Sequence, residues 1–326
     1  MRARPNAVVG LDVNEHFFQK ELALKVVTKA GYDRSLTFLG MLMTDVTIFT
    51  GEVRLAASVS GSADHPPVMF LHGISNSRDT WEEIAAELSN EFRVWTLDFR
   101  GHGHSDRTAT YGLDGWRADA EALLATIGRP TAIVGHSLGG CIAGMLAQDP
   151  HPLVRGVFLE DPGWYLWEPG EWDKVSFAKL FPIVAAKQAA WQSSNAALSE
   201  YLEFASNAPS PLGGVNSDHT SPRHLLSWAS ALQRQDNRCL FVTTEEGRVP
   251  PFDAAKEFKC PTWVVRGDPQ LGSALLEGHD AWLTKTNPGA RMLHYAGCGH
   301  NIHRTNGFDA RFLRDLRTFL ASLQAP

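Results

Sequence analysis

A serine hydroxyl is a poor nucleophile at neutral pH unless a base takes its proton and a carboxylate steadies that base. This chain carries side chains of all three kinds in settings that would bring them to loops. Ser137 stands in Gly135-His136-Ser137-Leu138-Gly139, after the apolar run Thr131-Ala132-Ile133-Val134 and before the small-residue start Gly140-Cys141-Ile142-Ala143-Gly144. Glycines two residues to either side permit a sharp strand-to-helix corner with the serine at its apex, where bulkier residues would clash. At such a corner the Leu138 N–H, at a helix N-terminus, faces the place where a substrate oxygen turns negative. The best base is His300, between Gly299 and Asn301, after the strand-like Arg291 to Tyr295 and before a terminal helix Phe308 to Leu323. His303 reads as a packing or capping residue, His294 as structural, and His136 as pointing away from its serine neighbour.

Three carboxylates compete to orient that base. Asp268 follows the strand Thr262 to Arg266 and precedes Pro269; Asp161 ends the strand-like Phe158-Leu159-Glu160-Asp161, and Glu160 beside it is a weaker variant. The histidine pairs His102/His104 and His300/His303 lack a carboxylate at ligand spacing. Neither a metal nor a cofactor is therefore expected.

The elements that must hold these residues alternate. Val68 to Ile74, Phe92 to Asp98 and Thr131 to Gly135 are apolar runs without polar alternation, the mark of strands covered on both faces. Helical patterns lie between them, over Asp79 to Leu88 and Leu113 to Ile127. Such alternation predicts an α/β fold with a largely parallel sheet, whose strand C-termini share one edge with ligands. Thr44 to Ser60 reads as a hairpin at a sheet edge, and Glu15 to Ala30 as an amphipathic helix that packs over the core or makes an oligomer contact. With 326 residues, 44% hydrophobic, the chain has material for one large core plus an insertion. A net charge of -6 without a Lys/Arg block argues against a nucleic-acid partner. Cys141, Cys239, Cys260 and Cys298 are scattered without a C-x-x-C pair, which favours a reduced, cytoplasmic setting. No apolar run reaches membrane-spanning length, so no membrane partner is expected.

In chain order, His72-Gly73-Ile74, Asp98-Phe99-Arg100-Gly101-His102-Gly103-His104-Ser105, Gly135-His136-Ser137-Leu138-Gly139-Gly140, Arg266-Gly267-Asp268-Pro269 and Gly297-Cys298-Gly299-His300-Asn301-Ile302-His303 resemble the motifs of the α/β-hydrolase superfamily. The resemblance implies a core over 44–163 and 252–326, an N-terminal extension over 1–43, and a helical lid over 164–251. It implies Asp268 as the acid, although many members place two residues between that glycine and the aspartate and this chain places none. Asp161 is the alternative, used by some relatives, including certain lactonases. It also implies Ile74 N–H as the second oxyanion donor beside Leu138. His72, Asp98 and Arg100 to Ser105 read as loop architecture.

The stretch 164–251 is rich in aromatics, most of which would form the lid's own core. Trp164, Tyr165 and Trp167 directly follow a core strand and are expected to line the site. The expected activity is hydrolysis of a carboxylic ester or lactone of a bulky apolar or aromatic small molecule through an acyl-enzyme. An amide or carbon–carbon bond hydrolase, or a cofactor-free perhydrolase, would use the same residues. A serine at the elbow argues against chemistry that needs a carboxylate nucleophile. A non-catalytic ligand-binding relative is the other class, and a homo-oligomer is compatible with all of these.

Overall fold

In a computed structural model of the chain, residues 11–12, 43–241, 253 and 255–324 are described. The helix expected over Glu15 to Ala30 lies outside them. The strands are β1 (Leu11–Asp12), β2 (Thr44–Phe49), β3 (Arg54–Ser60), β4 (Pro67–Leu71), β5 (Arg93–Leu97), β6 (Thr131–His136), β7 (Val154–Glu160), β8 (Thr262–Arg266) and β9 (Arg291–His294). They form one sheet in the order β1-β2-β3-β5-β4-β6-β7-β8-β9. Strands β5, β4, β6, β7, β8 and β9 pair in parallel, while β1, β2 and β3 pair antiparallel. The expected hairpin is β2–β3, one strand in from the edge because β1 pairs outside it.

The unbroken hydrophobicity of the central strands follows from their two covered faces. Along β4, Val68 and Phe70 enter the cluster under α1 (Glu82–Leu88) and α8 (Asp309–Ser322), with Trp81, Phe312 and Phe319. Met69 and Leu71 enter the opposite cluster under α2 (Leu113–Ile127) and α3 (Leu138–Gln148), with Trp116, Leu124 and Ile142. β6 and β7 divide in the same way: Ile133, Val157 and Leu159 go to one side and Val134 and Phe158 to the other. Successive strand residues point to opposite faces, so both sets must be apolar.

The chain between β7 and β8 leaves the sheet and forms α4 (Phe177–Ser194), α5 (Leu198–Asn207) and α6 (Pro222–Arg234). The stretch from Phe177 to Leu202 is two helices. It breaks at Asn195, whose φ of 50° ends α4 in a left-handed cap. These helices share their own cluster, built on Val184, Trp191, Tyr201 and Leu232, and the Ile74 side chain of the core packs against it. The remaining helix, α7 (His279–Thr286), lies between β8 and β9. No helix among the described residues is long and apolar enough to cross a membrane.

Candidate active site

β6 ends at His136, and Ser137 turns the chain into α3 with φ 53° and ψ −113°, a strained conformation for a residue with a side chain. The corner is held from below. Ser137 N–H donates to the Glu160 carbonyl at 2.9 Å, and Gly139 N–H donates to the His72 carbonyl at 3.1 Å. A side chain on Gly135 would collide with the backbone of Gly139, and one on Gly139 with the backbone of Leu71. The two glycines therefore let strand, corner and helix approach closely enough to expose the serine.

Ser137 lines a cavity whose other walls include Ile74, Leu138, Trp116 and Cys141 from the core, and Trp167, Trp172, Phe177 and Phe181 from the insertion. None of its lining residues carries a charge. Cys141 stays a thiol, since burial pushes it up to about 12. The backbone N–H groups of Leu138 and Ile74 have no acceptor among the described residues. Leu138 opens α3, so its amide also sits at the positive end of a helix dipole.

His300 arrives on the loop between β9 and α8. Its Nδ1 lies 2.6 Å from Asp161 Oδ2, which fixes the proton on Nδ1 and leaves Nε2 as an acceptor. The ring packs at 4.8 Å on Phe177, which lines the same cavity as Ser137. From behind, the His300 carbonyl accepts a hydrogen bond from His136 Nε2 at 3.1 Å. His136 is fully buried, and desolvation keeps it neutral, well below its ordinary range.

The carboxylate that meets His300 is Asp161, and not Asp268. Asp161 is fully buried just past β7, and its Oδ2 also accepts from Ala274 N–H at 2.7 Å. Its Oδ1 accepts from Ser273 Oγ at 2.5 Å and from Leu275 N–H at 3.3 Å. Asp268 is used locally. Its Oδ1 caps the short turn Pro269–Leu271 through Gln270 N–H at 3.0 Å, and its Oδ2 accepts from Gly297 N–H at 3.3 Å. With no residue between Gly267 and Asp268, the carboxylate cannot swing past that turn, and Gly267 instead abuts the backbone of Gly299. Glu160, the last residue of β7, meets a different histidine. Its Oε2 lies 2.7 Å from His303 Nδ1, while Oε1 accepts His303 N–H at 2.8 Å. His303 in turn stacks on Trp81 at 4.3 Å and reaches Thr80 Oγ1 with Nε2 at 2.9 Å.

Of the three aromatics expected at the cavity, Trp167 lines it. Trp164 and Tyr165 do not. The Trp164 indole fills the space left by Gly144 on α3, where a Cβ would lie 2.7 Å from the ring, and packs on Phe258 at 5.6 Å. Tyr165 packs on His279 at 4.9 Å and on Trp282 at 5.3 Å. The rings that do line it, Trp172, Phe177 and Phe181, were assigned to the insertion's own core by the sequence reading. The spacing of four between Phe177 and Phe181, one face of a helix, was the available signal.

His72 is architectural. Its Nδ1–H donates to the Gly73 carbonyl at 2.8 Å, its Nε2 accepts from Phe99 N–H at 3.2 Å, and burial pulls it down to about 4. Asp98 accepts from Arg78 N–H at 2.7 Å and His104 N–H at 3.0 Å, so it anchors two loops. Among the described residues, no group of three His, Cys, Asp or Glu side chains is placed to hold a metal ion.

Comparison with known proteins agrees with this architecture. The chain is 34% identical over 110 residues to 2-(acetamidomethylene)succinate hydrolase of Mesorhizobium japonicum, covering 33% of this chain and 40% of that protein. It is 30% identical over 155 residues to epoxide hydrolase 4 of Mus musculus, covering 42% of each. The matched stretches span less than half of these curated relatives. Among solved structures, an esterase of Rhodococcus sp. ECU1013 superposes with a TM-score of 0.63 at 22% identity, over 86% of this chain and 99% of that one. The family model of the alpha/beta hydrolase fold matches residues 66–306, and the chain belongs to that family.

Proposed function

We propose that the chain is a serine hydrolase that cleaves a carboxylic ester or lactone with an uncharged, bulky apolar or aromatic acyl group. The observation that carries this reading is the 2.6 Å contact between His300 Nδ1 and Asp161 Oδ2, behind a cavity that contains Ser137. His300 Nε2 takes the Ser137 proton as Oγ attacks the carbonyl carbon, and Asp161 stabilises the imidazolium that forms. The N–H groups of Leu138 and Ile74 receive the oxyanion. Collapse of the tetrahedral intermediate expels the alkoxide, which takes the proton back from His300. Water, deprotonated by the same imidazole, then frees the acid and restores Ser137.

The cavity's composition supports the substrate class. A carboxylate on the acyl group would find no cation among the lining residues, whereas rings would meet Trp116, Trp167, Trp172, Phe177 and Phe181. Hydrolase-named relatives support the reaction type, and the curated one named as an epoxide hydrolase matches less than half of this chain. The lid in this reading is the insertion that begins at Trp164, whose Trp167, Trp172, Phe177 and Phe181 line the cavity with Ser137.

The test is covalent labelling by a fluorophosphonate with the adduct mapped by mass spectrometry, together with turnover of aryl esters, lactones and anilides. Labelling at Ser137 and ester turnover that falls at least about 10⁴-fold in Ser137→Ala are expected. Failure to label combined with no turnover of any class would make the chain a ligand-binding relative instead. Anilide turnover exceeding ester turnover would move the assignment to the amidases.

A further inference from the structure

Arg304 is buried, and among the described residues no carboxylate lies within ion-pair distance of its guanidinium. A charge taken from water with no carboxylate in contact is costly, even with Glu160 near enough to favour it, so its presence calls for a reason beyond stability. Burial pulls even this guanidinium down to about 10. Its partners are two neutral amides: Nη1 donates to Asn76 Oδ1 at 2.7 Å and Nη2 donates to Asn301 Oδ1 at 2.8 Å. Its guanidinium carbon lies 5.5 Å from the centre of the Trp228 ring on α6.

Those two asparagines belong to the two loops that the reaction needs in register. Asn301 follows His300 directly. Asn76 closes the turn that carries Ile74, since its N–H donates to the Gly73 carbonyl at 3.1 Å and its Nδ2 lies 3.5 Å from the Ile74 carbonyl. That turn is strained, because Ser75 sits at φ 65° without being glycine. It is also wedged, because a Cβ on Gly73 would lie 2.6 Å from His136 Nδ1 and 3.0 Å from Ser137 Cβ. A strained turn keeps one geometry only where its surroundings over-determine it. The aim of the Ile74 N–H therefore depends on what grips Asn76.

We infer that Arg304 is a positioning residue: its forked guanidinium spans Asn76 and Asn301 and so holds the Ile74 N–H and His300 in fixed relation around Ser137. The assignment rests on the serine-hydrolase reading. A lysine at this position keeps the charge but loses the rigid planar fork whose two nitrogens each reach one amide.

The experiment compares Arg304→Lys, Arg304→Met and Asn76→Ala with the unmodified protein, with active sites counted by fluorophosphonate titration. Each variant is expected to lose about 10- to 100-fold in kcat per titrated site with KM within about twofold. A trifluoromethyl ketone, whose adduct places an oxyanion between Leu138 and Ile74, is expected to weaken by a similar factor. An arylalkane, which presents no oxygen to those donors, is expected to bind unchanged. Unchanged kcat per titrated site overturns the assignment, even where fewer sites titrate, because that is what a merely structural role gives. Full activity in Arg304→Lys overturns it too, since charge alone would then suffice. If Arg304→Met fails to fold, Asn76→Ala and Arg304→Lys still decide between these outcomes. Absence of both labelling and turnover in the unmodified protein would overturn the serine-hydrolase reading itself, independently of Arg304.

Discussion

Two aspartates at strand ends compete for one imidazole, and their hydrogen bonds separate them. Asp161→Asn should lower kcat by about 10³- to 10⁴-fold, because an amide at Oδ2 no longer holds the Nδ1–H tautomer. Asp268→Asn should leave kcat within about threefold and cost about 1 kcal/mol of stability, seen as a small fall in melting temperature, because it weakens a turn cap. The sequence placed both residues at the right edge but could not say which the histidine loop would reach. The missing spacer between Gly267 and Asp268 was the legible hint. The neighbouring pair makes a pH prediction. Burial raises Glu160 to about 8, above its unfolded value of 4.5, and holds His303 well below its unfolded value of 6.5. Below pH 4.5 the unfolded pair therefore binds the extra proton, and stability from the pair rises with pH. Between 6.5 and about 8 the folded pair binds the extra proton, and stability falls. Urea midpoints should be highest between about pH 4.5 and 6.5. In Glu160→Gln, which cannot lose that proton, the fall on the alkaline side should disappear.

At the scale of elements, the strand–corner–helix unit was the most legible part of the chain. Its glycine spacing has a steric cause that does not depend on the rest of the fold. Gly139→Ala should destabilise by about 3 kcal/mol in urea unfolding, because its Cβ meets backbone on β4 rather than a movable side chain. The central strands were legible for a similar reason: two covered faces leave an unbroken apolar run. The insertion was less so. Its aromatics supply both its own cluster and the cavity wall, and composition alone does not divide Trp191 from Phe181. Trp164 and Tyr165 lie elsewhere because proximity in sequence to a core strand does not reveal that Gly144 leaves a slot for Trp164 or that Tyr165 turns to His279. Phe181→Ala should raise KM for aryl esters about tenfold with kcat little changed, because it removes a wall and not the chemistry.

Across the whole molecule, the helices between β7 and β8 are joined to the sheet layer by contacts that no local pattern announced. Ile74 packs into the insertion's cluster, and Arg223 pairs with Glu82 at 2.6 Å. Between the two layers runs a buried polar chain. Gln188 Nε2 donates to Gln235 Oε1 at 3.1 Å and to the Leu232 carbonyl at 2.8 Å, and Gln235 Nε2 donates to His102 Nε2 at 3.1 Å. All three side chains are fully buried, and His102 is held neutral, pulled down to about 3 by burial. Swinging the insertion away as a rigid body would leave these amides dry until water reached them. A substrate is therefore expected to enter by rotation of rings at the cavity rim rather than by rigid-body opening of the insertion. A short cross-link between Glu82→Cys and Arg223→Cys, sewing the two layers together, should leave turnover intact.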